Sequence, residues 1–316
     1  MENNISFTKT IKEELTTLKL SAEGRVSLLS AFVRNNGSLV FSNNKEILVI
    51  KTENASIAKY IYQSLKEVYK DLAITISYRK SMNLYKNTQF LLNVNDRVNE
   101  VLKDFSINFL EDKIPYILTS KDERISCYLA GCFLASGSCN SPVSSNYHLE
   151  ISSKDMVYSN NLLKVIEKIK SFSFHFKIIK RKTNYVVYLK RSDEIASFLA
   201  FINANNSCLD FENIRVDRDF SNITNRMINC DTYNYNKSIK KANEQFELIK
   251  LIDSRLGINN IEDVRLKELC RLRTNNLEAS YQELATLLSE KLNKKINKAL
   301  ISRLFIKLET LGEIYK

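Results

Sequence analysis

Tryptophan is absent from this chain, and three other residue types are scarce: six Gly, two Pro and two His among 316 residues. So little glycine argues against glycine-rich loops that cradle phosphates, and no Gly-x-x-x-x-Gly-Lys pattern occurs. The six cysteines, at 127, 132, 139, 208, 230 and 270, contain no Cys-x-x-Cys pair. With only two histidines beside them they make a poor zinc set, so they read as reduced thiols, with Cys127 and Cys132 in a core. No apolar run approaches the roughly 20 residues of a membrane span, and residues 1–18 are charged, with no apolar centre of a signal peptide. The expectations are a cytoplasmic chain with no metal, no cofactor and no membrane partner.

What is present is positive charge. Lys and Arg number 47 against 36 Asp and Glu, a net charge of +11 that suits a polyanionic partner. Hydrophobic residues make up 44%, and the length allows two domains with cores of their own.

The chain is organised around a repeat. Leu129 to Ser138 reads Leu-Ala-Gly-Cys-Phe-Leu-Ala-Ser-Gly-Ser, and Leu29 to Ser38 aligns with it without a gap as Leu-Ser-Ala-Phe-Val-Arg-Asn-Asn-Gly-Ser. Small residues recur every fourth place, as Ser27, Ala31, Asn35 and as Cys127, Gly131, Ala135, which puts them on one helix face and lets two helix backbones approach. Gly37 and Gly137 then read as left-handed caps that stop the helices. The pattern resembles the LAGLIDADG homing endonucleases: Leu129, Ala130, Gly131, Ala135 and Gly137 match the motif, whereas the first copy matches only at Leu29 and Gly37. The resemblance implies paired motif helices above two sheets that straddle DNA. It also exposes a departure, because the endonucleases carry a metal-binding carboxylate just before each closing glycine, and Asn36 and Ser136 stand there. A neutral amide and a hydroxyl are poor ligands for hard cations, so no catalytic residue is assigned.

In chain order, 5–15 reads as an amphipathic helix capped by Ser6 or Thr8. Strands follow over 38–41 and 46–51 about a turn at Asn43 and Asn44, then a helix over 55–69 and strands over 72–78 and 89–94. The second repeat offers a motif helix over 124–136, a strand over 147–152, a helix over 155–169, a hairpin of 174–182 and 185–191, and a helix over 193–203. Nine basic residues and one acid lie between Lys164 and Arg191. Lys177, Lys180, Arg181 and Lys190 on that hairpin are candidate DNA contacts, with a merely solvated face as the alternative. The acids Asp210, Glu212, Asp217 and Asp219 read as surface, and Lys237 to Leu256 as an amphipathic bridging helix ended by Gly257.

The last segment predicts three helices: 262–273, a second opened by the capping box Ser280-Tyr-Gln-Glu283, and a third over 297–308. A buried stripe of Leu300, Leu304, Leu308 and Leu311, flanked by Ile301 and Phe305, leaves Ala299, Ser302, Arg303 and Ile306 outward with Lys298 at the edge. Six basic residues and no acid lie between Lys291 and Lys307, Lys294 and Lys295 among them. This predicts a helix-turn-helix, although the connection over 289–296 is long and lacks glycine; a helical protein-interaction domain is the alternative.

A degenerate LAGLIDADG domain joined to a C-terminal helix-turn-helix resembles the bacterial WhiA sporulation regulators. Ser6-Phe7-Thr8 with Lys12-Glu13-Glu14-Leu15, Tyr147 to Ile151, and Asn229-Cys230-Asp231-Thr232 with Asn234, Asn236 and Lys237 carry that resemblance. The expected fold is α+β: two αββαββα repeats over 1–105 and 106–205, a connecting segment and bridging helix over 206–258, and a helix-turn-helix over 259–316. The resemblance implies a nucleoid-associated, monomeric regulator of transcription that binds double-stranded DNA, linked to cell division, chromosome organisation or sporulation. RNA polymerase or another transcription or division protein is an expected partner. Two alternatives stay open: a protein-interaction module on a former DNA saddle, and an active homing-type endonuclease.

Overall fold

The structure, a computed structural model, describes residues 6–42, 45–80, 88–109, 111, 113–144 and 146–315. The expected turn at Asn43 and Asn44 lies outside the described residues. The chain forms two compact units, Met1–Arg218 and Asp219–Lys316.

In the first unit, α1 (Phe7–Leu15) starts at Ser6, whose hydroxyl accepts from the Lys9 amide. The first repeat then runs α2 (Ala22–Asn36), β1 (Gly37–Ser42), β2 (Lys45–Thr52), α3 (Ala55–Val68), β3 (Ile74–Lys80), β4 (Thr88–Val94) and α4 (Val98–Asp104). The second runs α5 (Asp122–Ser136), β5 (Gly137–Cys139), β6 (Leu149–Ser153), α6 (Met156–Ile166), β7 (Lys177–Arg181), β8 (Asn184–Leu189) and α7 (Ser192–Phe201). Both sheets are antiparallel with the same internal order, β1-β2-β4-β3 and β5-β6-β8-β7. One face of each is buried, through Leu48, Ile50, Leu92 and Val94 in one and Leu149, Ile151, Val187 and Leu189 in the other. The alternating strand period leaves the opposite face outward.

The seam between the repeats is the α2–α5 pair. A Cβ built on Gly131 would stand 2.3 Å from the Leu28 carbonyl oxygen and 3.0 Å from the Ala31 Cβ, so only glycine permits this approach. Gly37 and Gly137 are not left-handed caps. They adopt extended φ of −89° and −72°, and what excludes a side chain is space: a Cβ would meet the Val33 carbonyl oxygen at 2.4 Å and the Phe133 ring at 2.3 Å. The motif helices therefore turn directly into strands.

Three further elements differ from the sequence reading. β5, the first strand of the second αββαββα repeat, to which the sequence reading gives no residues, spans only three. The second hairpin begins at Lys177 rather than Phe174, because Phe174 and Phe176 join Phe172, Phe198 and Phe201 in an aromatic cluster with ring centroids 5.3–6.1 Å apart. A single helix, α8 (Asn205–Arg255), replaces the weak segment over 206–232 and the helix expected from Lys237. Its N-terminus is held by Glu14, whose carboxylate accepts from the amides of Asn206 (2.7 Å) and Ser207 (2.8 Å) and from the Ser207 hydroxyl.

In the second unit the end of α8 packs with α9 (Val264–Asn275), α10 (Tyr281–Leu292) and α11 (Lys298–Tyr315). Ile249, Ile252, Leu266, Leu269, Leu284, Leu288, Ile301, Leu304, Phe305 and Leu308 form its core. No helix among the described residues is long and apolar enough to cross a membrane.

Candidate nucleic-acid interface

The helix pair α10–α11 is set by short-range chemistry. Ser280 and Glu283 form the expected capping box, the Ser280 hydroxyl taking the Glu283 amide and the Glu283 carboxylate taking the Ser280 amide. α10 ends at Asn293, which sits at φ +50°, the left-handed position usually given to glycine. The missing glycine is thus supplied by an asparagine, and the connection is residues 293–297 rather than 289–296. The Ser289 hydroxyl accepts from the Ile296 amide (3.0 Å), and the Asn297 side-chain Oδ1 accepts from the Leu300 amide (3.0 Å).

Arg273, which sequence reasoning passed over, locks the α9–α10 corner. It is 2% exposed, lies 5.3 Å over the Phe305 ring, and donates to the carbonyls of Leu277 (3.1 Å) and Ala279 (2.7 Å). Burial lowers its guanidinium from the usual range, and the two carbonyls offset part of that cost. No local sequence signal marks it, because the rings it meets, Tyr281 and Phe305, lie eight and 32 residues further along the chain.

α11 runs to Tyr315, beyond the expected Leu308. Its buried stripe centres on Ile301, Leu304, Phe305 and Leu308, with Leu300 and Leu311 half-buried. Lys298, Ser302, Arg303 and Ile306 are all exposed, as are Lys294 and Lys295 in the turn. Of the six basic residues in this stretch, two are engaged: Lys291 with Glu268 at 2.7 Å and Lys307 with Asp263 at 2.9 Å. Those lysines hold the two carboxyls below their ordinary values. Lys294, Lys295, Lys298 and Arg303 have no ion-pair or hydrogen-bond partner for their charged groups among the described residues, so these four cations are open to a ligand.

The second hairpin is less uniform than its composition suggests. The register pairs Lys177 with Tyr188 and Arg181 with Asn184, while Lys180 pairs with Tyr185, one residue out of phase. Lys177 and Arg181 therefore share the outward face, and Lys180 lies on the other, its ammonium 5.9 Å from the Tyr185 ring. Lys190 stands 5.7 Å over outward Tyr188. Arg181 is already paired with Glu150 at 3.0 Å, which also meets His148 at 2.8 Å.

The two degenerate positions end α2 and α5. The Ser136 hydroxyl lies 3.5 Å from the Cys132 carbonyl. Beside them, Asn35 donates to Tyr158, whose hydroxyl also meets those of Tyr128 (3.2 Å) and the Cys132 thiol (3.4 Å). Burial pushes the Tyr158 phenol well up and the Cys132 thiol up to about 12, so this network is neutral. Among the described residues no group of three His, Cys, Asp or Glu could hold a metal ion.

Three family profiles match in succession: the WhiA N-terminal LAGLIDADG-like domain over 23–108, the WhiA LAGLIDADG-like domain over 125–221 and the WhiA C-terminal HTH domain over 224–312. The chain belongs to the WhiA family. Curated WhiA relatives include the probable cell division protein WhiA of Lacticaseibacillus paracasei, 35% identical over 316 residues and covering 98% of both chains. That of Bacillus licheniformis is 38% identical, covering 98% of this chain and 96% of its own. The crystal structure of full-length WhiA from Thermatoga maritima shares the fold at 20% identity, with a TM-score of 0.58 and 97% of each chain covered. The first unit is thus the LAGLIDADG-type part of a WhiA chain, and the helix-turn-helix match takes in the second part of α8, all of α9 and α10, and α11 as far as residue 312.

Proposed function

We propose that this chain is a DNA-binding regulator that reads duplex DNA chiefly through α11 and does not cleave it. The observation that carries the reading is the set of four unpaired cations, Lys294, Lys295, Lys298 and Arg303, on one exposed surface with Ser302 and Ile306. A helix of this kind fits the major groove, its polar side chains meeting base edges and its lysines the flanking phosphates. In this reading Arg303 contacts bases, while Lys294, Lys295 and Lys298 position the helix. Lys177, Arg181 and Lys190 add a weaker surface on the first unit, weaker because Arg181 is already paired.

The names of the relatives support a role in cell division, and chromosome organisation and sporulation belong to the same class of task. The protein acts in the cytoplasm at the nucleoid, with RNA polymerase or a division protein as a second partner. Loss of nuclease activity follows from Asn36 and Ser136, which cannot fix the ions of a two-metal cleavage. The test combines mapping of bound chromosomal sites with Arg303→Ala. That substitution should cost about 1–3 kcal/mol on the preferred site and flatten base preference, and supercoiled plasmid with Mg²⁺ should stay uncut. Unchanged affinity and preference in Arg303→Ala, or reproducible nicking, would defeat the proposal.

A further inference from the structure

The first unit holds a pocket of about 550 Å³ where α2 turns into β1. Lys12 of α1, Lys51 of β2, Lys154 before α6, Asn36 and Gln89 line it, with Glu53 as the one acid in its wall. Lys51 and Gln89 lie on the outward face of the first sheet, since the alternating Ile50 and Leu92 are the buried set. Three ammonium groups thus converge on the place where an endonuclease of this fold keeps carboxylates and metal ions. Among the described residues none of the three has an ion-pair or hydrogen-bond partner for its charge. Burial brings the Lys12 ammonium down to about 8. Gathering like charges with one carboxylate for three ammoniums is unfavourable unless a ligand completes the site.

We propose that this pocket binds a phosphate group directly, without a metal ion, through Lys12, Lys51 and Lys154, with the Asn36 and Gln89 amides available as hydrogen-bond donors. The charge logic of the ancestral site is inverted: there a carboxylate recruits a cation that recruits phosphate, whereas here side-chain cations meet the phosphate themselves. Exchange of a carboxylate for a neutral group at Asn36 is a requirement of such a site, because an acid there, in the pocket wall, would repel the ligand. The phosphate has two possible sources, the backbone of a duplex against the outward face of the first sheet or a free phosphorylated compound. Only the first source rests on the DNA-binding reading above.

The experiment titrates inorganic pyrophosphate into the full-length protein by calorimetry at low salt. The variants are Lys51→Gln with Lys154→Gln, Lys12→Gln alone, and a charge-matched control outside the pocket, Lys164→Gln with Lys170→Gln, each checked for folding by circular dichroism. We expect one saturable site in the native protein and in the control, weakened on the order of tenfold or more in the pocket variants, as for loss of charge-assisted hydrogen bonds. Absence of saturable binding, or equal loss in pocket and control variants, would overturn the site. A DNA titration over a salt series then separates the sources. A slope smaller by about two in Lys51→Gln with Lys154→Gln assigns the phosphate to the duplex, and an unchanged slope with lost pyrophosphate binding assigns it to a free compound. Failure of the native protein to bind DNA would sink the regulatory reading and leave the pyrophosphate result standing.

Discussion

Gly131→Ala gives opposite outcomes according to whether the two motif helices are as close as described. On an isolated helix, alanine for glycine contributes about 1 kcal/mol of stability. In this seam the new methyl would stand 2.3 Å from the Leu28 carbonyl oxygen, a backbone atom on the facing helix that can move only if α2 moves. Overpacking of this kind costs about 1–3 kcal/mol, occasionally more, and 2.3 Å is severe enough to put it at or beyond the top of that range. The net expectation is a loss of about 2 kcal/mol, a fall of roughly 4–8 °C for a unit of this size. Because the chain has no tryptophan, calorimetry or far-ultraviolet circular dichroism is the suitable probe. Ala31→Gly in the same background should rescue little, since the harder contact is the carbonyl. A variant as stable as the native protein, or more so, would refute a seam closed by glycine.

Other outcomes follow from named groups. Lys12→Met should stabilise the protein at pH 7 by about 1–3 kcal/mol. Burial holds the native ammonium near 8 against an ordinary 10.5, in a pocket it shares with Lys51, Lys154 and Glu53, so the unfolded chain holds more protons between those values; native stability rises with pH there and the advantage of the variant fades, as denaturant titrations at pH 7 and 10 should show. At Asn293, glycine should be tolerated within about 0.5 kcal/mol, whereas valine at φ +50° should cost roughly 1–2 kcal/mol and lower DNA affinity with it, read by melting and DNA titration. Exposed Cys230 should react with a disulfide reagent in the native state, while Cys132, Cys139 and Cys270, each pushed to about 12 by burial, should react only on unfolding, which mass mapping of the adducts would follow.

The repeat, the seam and the helix-turn-helix were legible because each leaves a periodic mark: small residues every fourth place in α2 and α5, and Leu304 and Leu308 inward on α11 with Arg303 outward. The conformation of Gly37 and Gly137 was not legible, since glycine serves equally for a left-handed turn and for a missing Cβ, and only neighbours such as Phe133 decide. α8 escaped because its middle has no buried stripe: Val216, Phe220, Ile223 and Met227 fall at helical spacing but are all exposed, and Asn-rich sequence has low helix propensity. In the candidate sites, residue types could be counted but not their pairing. Nothing local shows that Lys291 and Lys307 are engaged while Lys298 is open, that Lys180 is out of phase with Lys177, or that Lys12 shares a pocket with Lys51 and Lys154.

The central claim is that the open cations of the α10–α11 turn and of α11 hold DNA. DNA affinity across a salt series, for the native full-length protein and for Lys294→Gln, Lys295→Gln, Lys298→Gln and Arg303→Gln combined, tests it most directly. Each neutralised phosphate contributes about −0.9 to the slope of log affinity on log salt, so the combined variant, which removes three phosphate-positioning lysines and one base-reading arginine, should bind far more weakly with a slope smaller by about two to three. A variant that retains the native slope and affinity would show that DNA is held elsewhere and contradict the account.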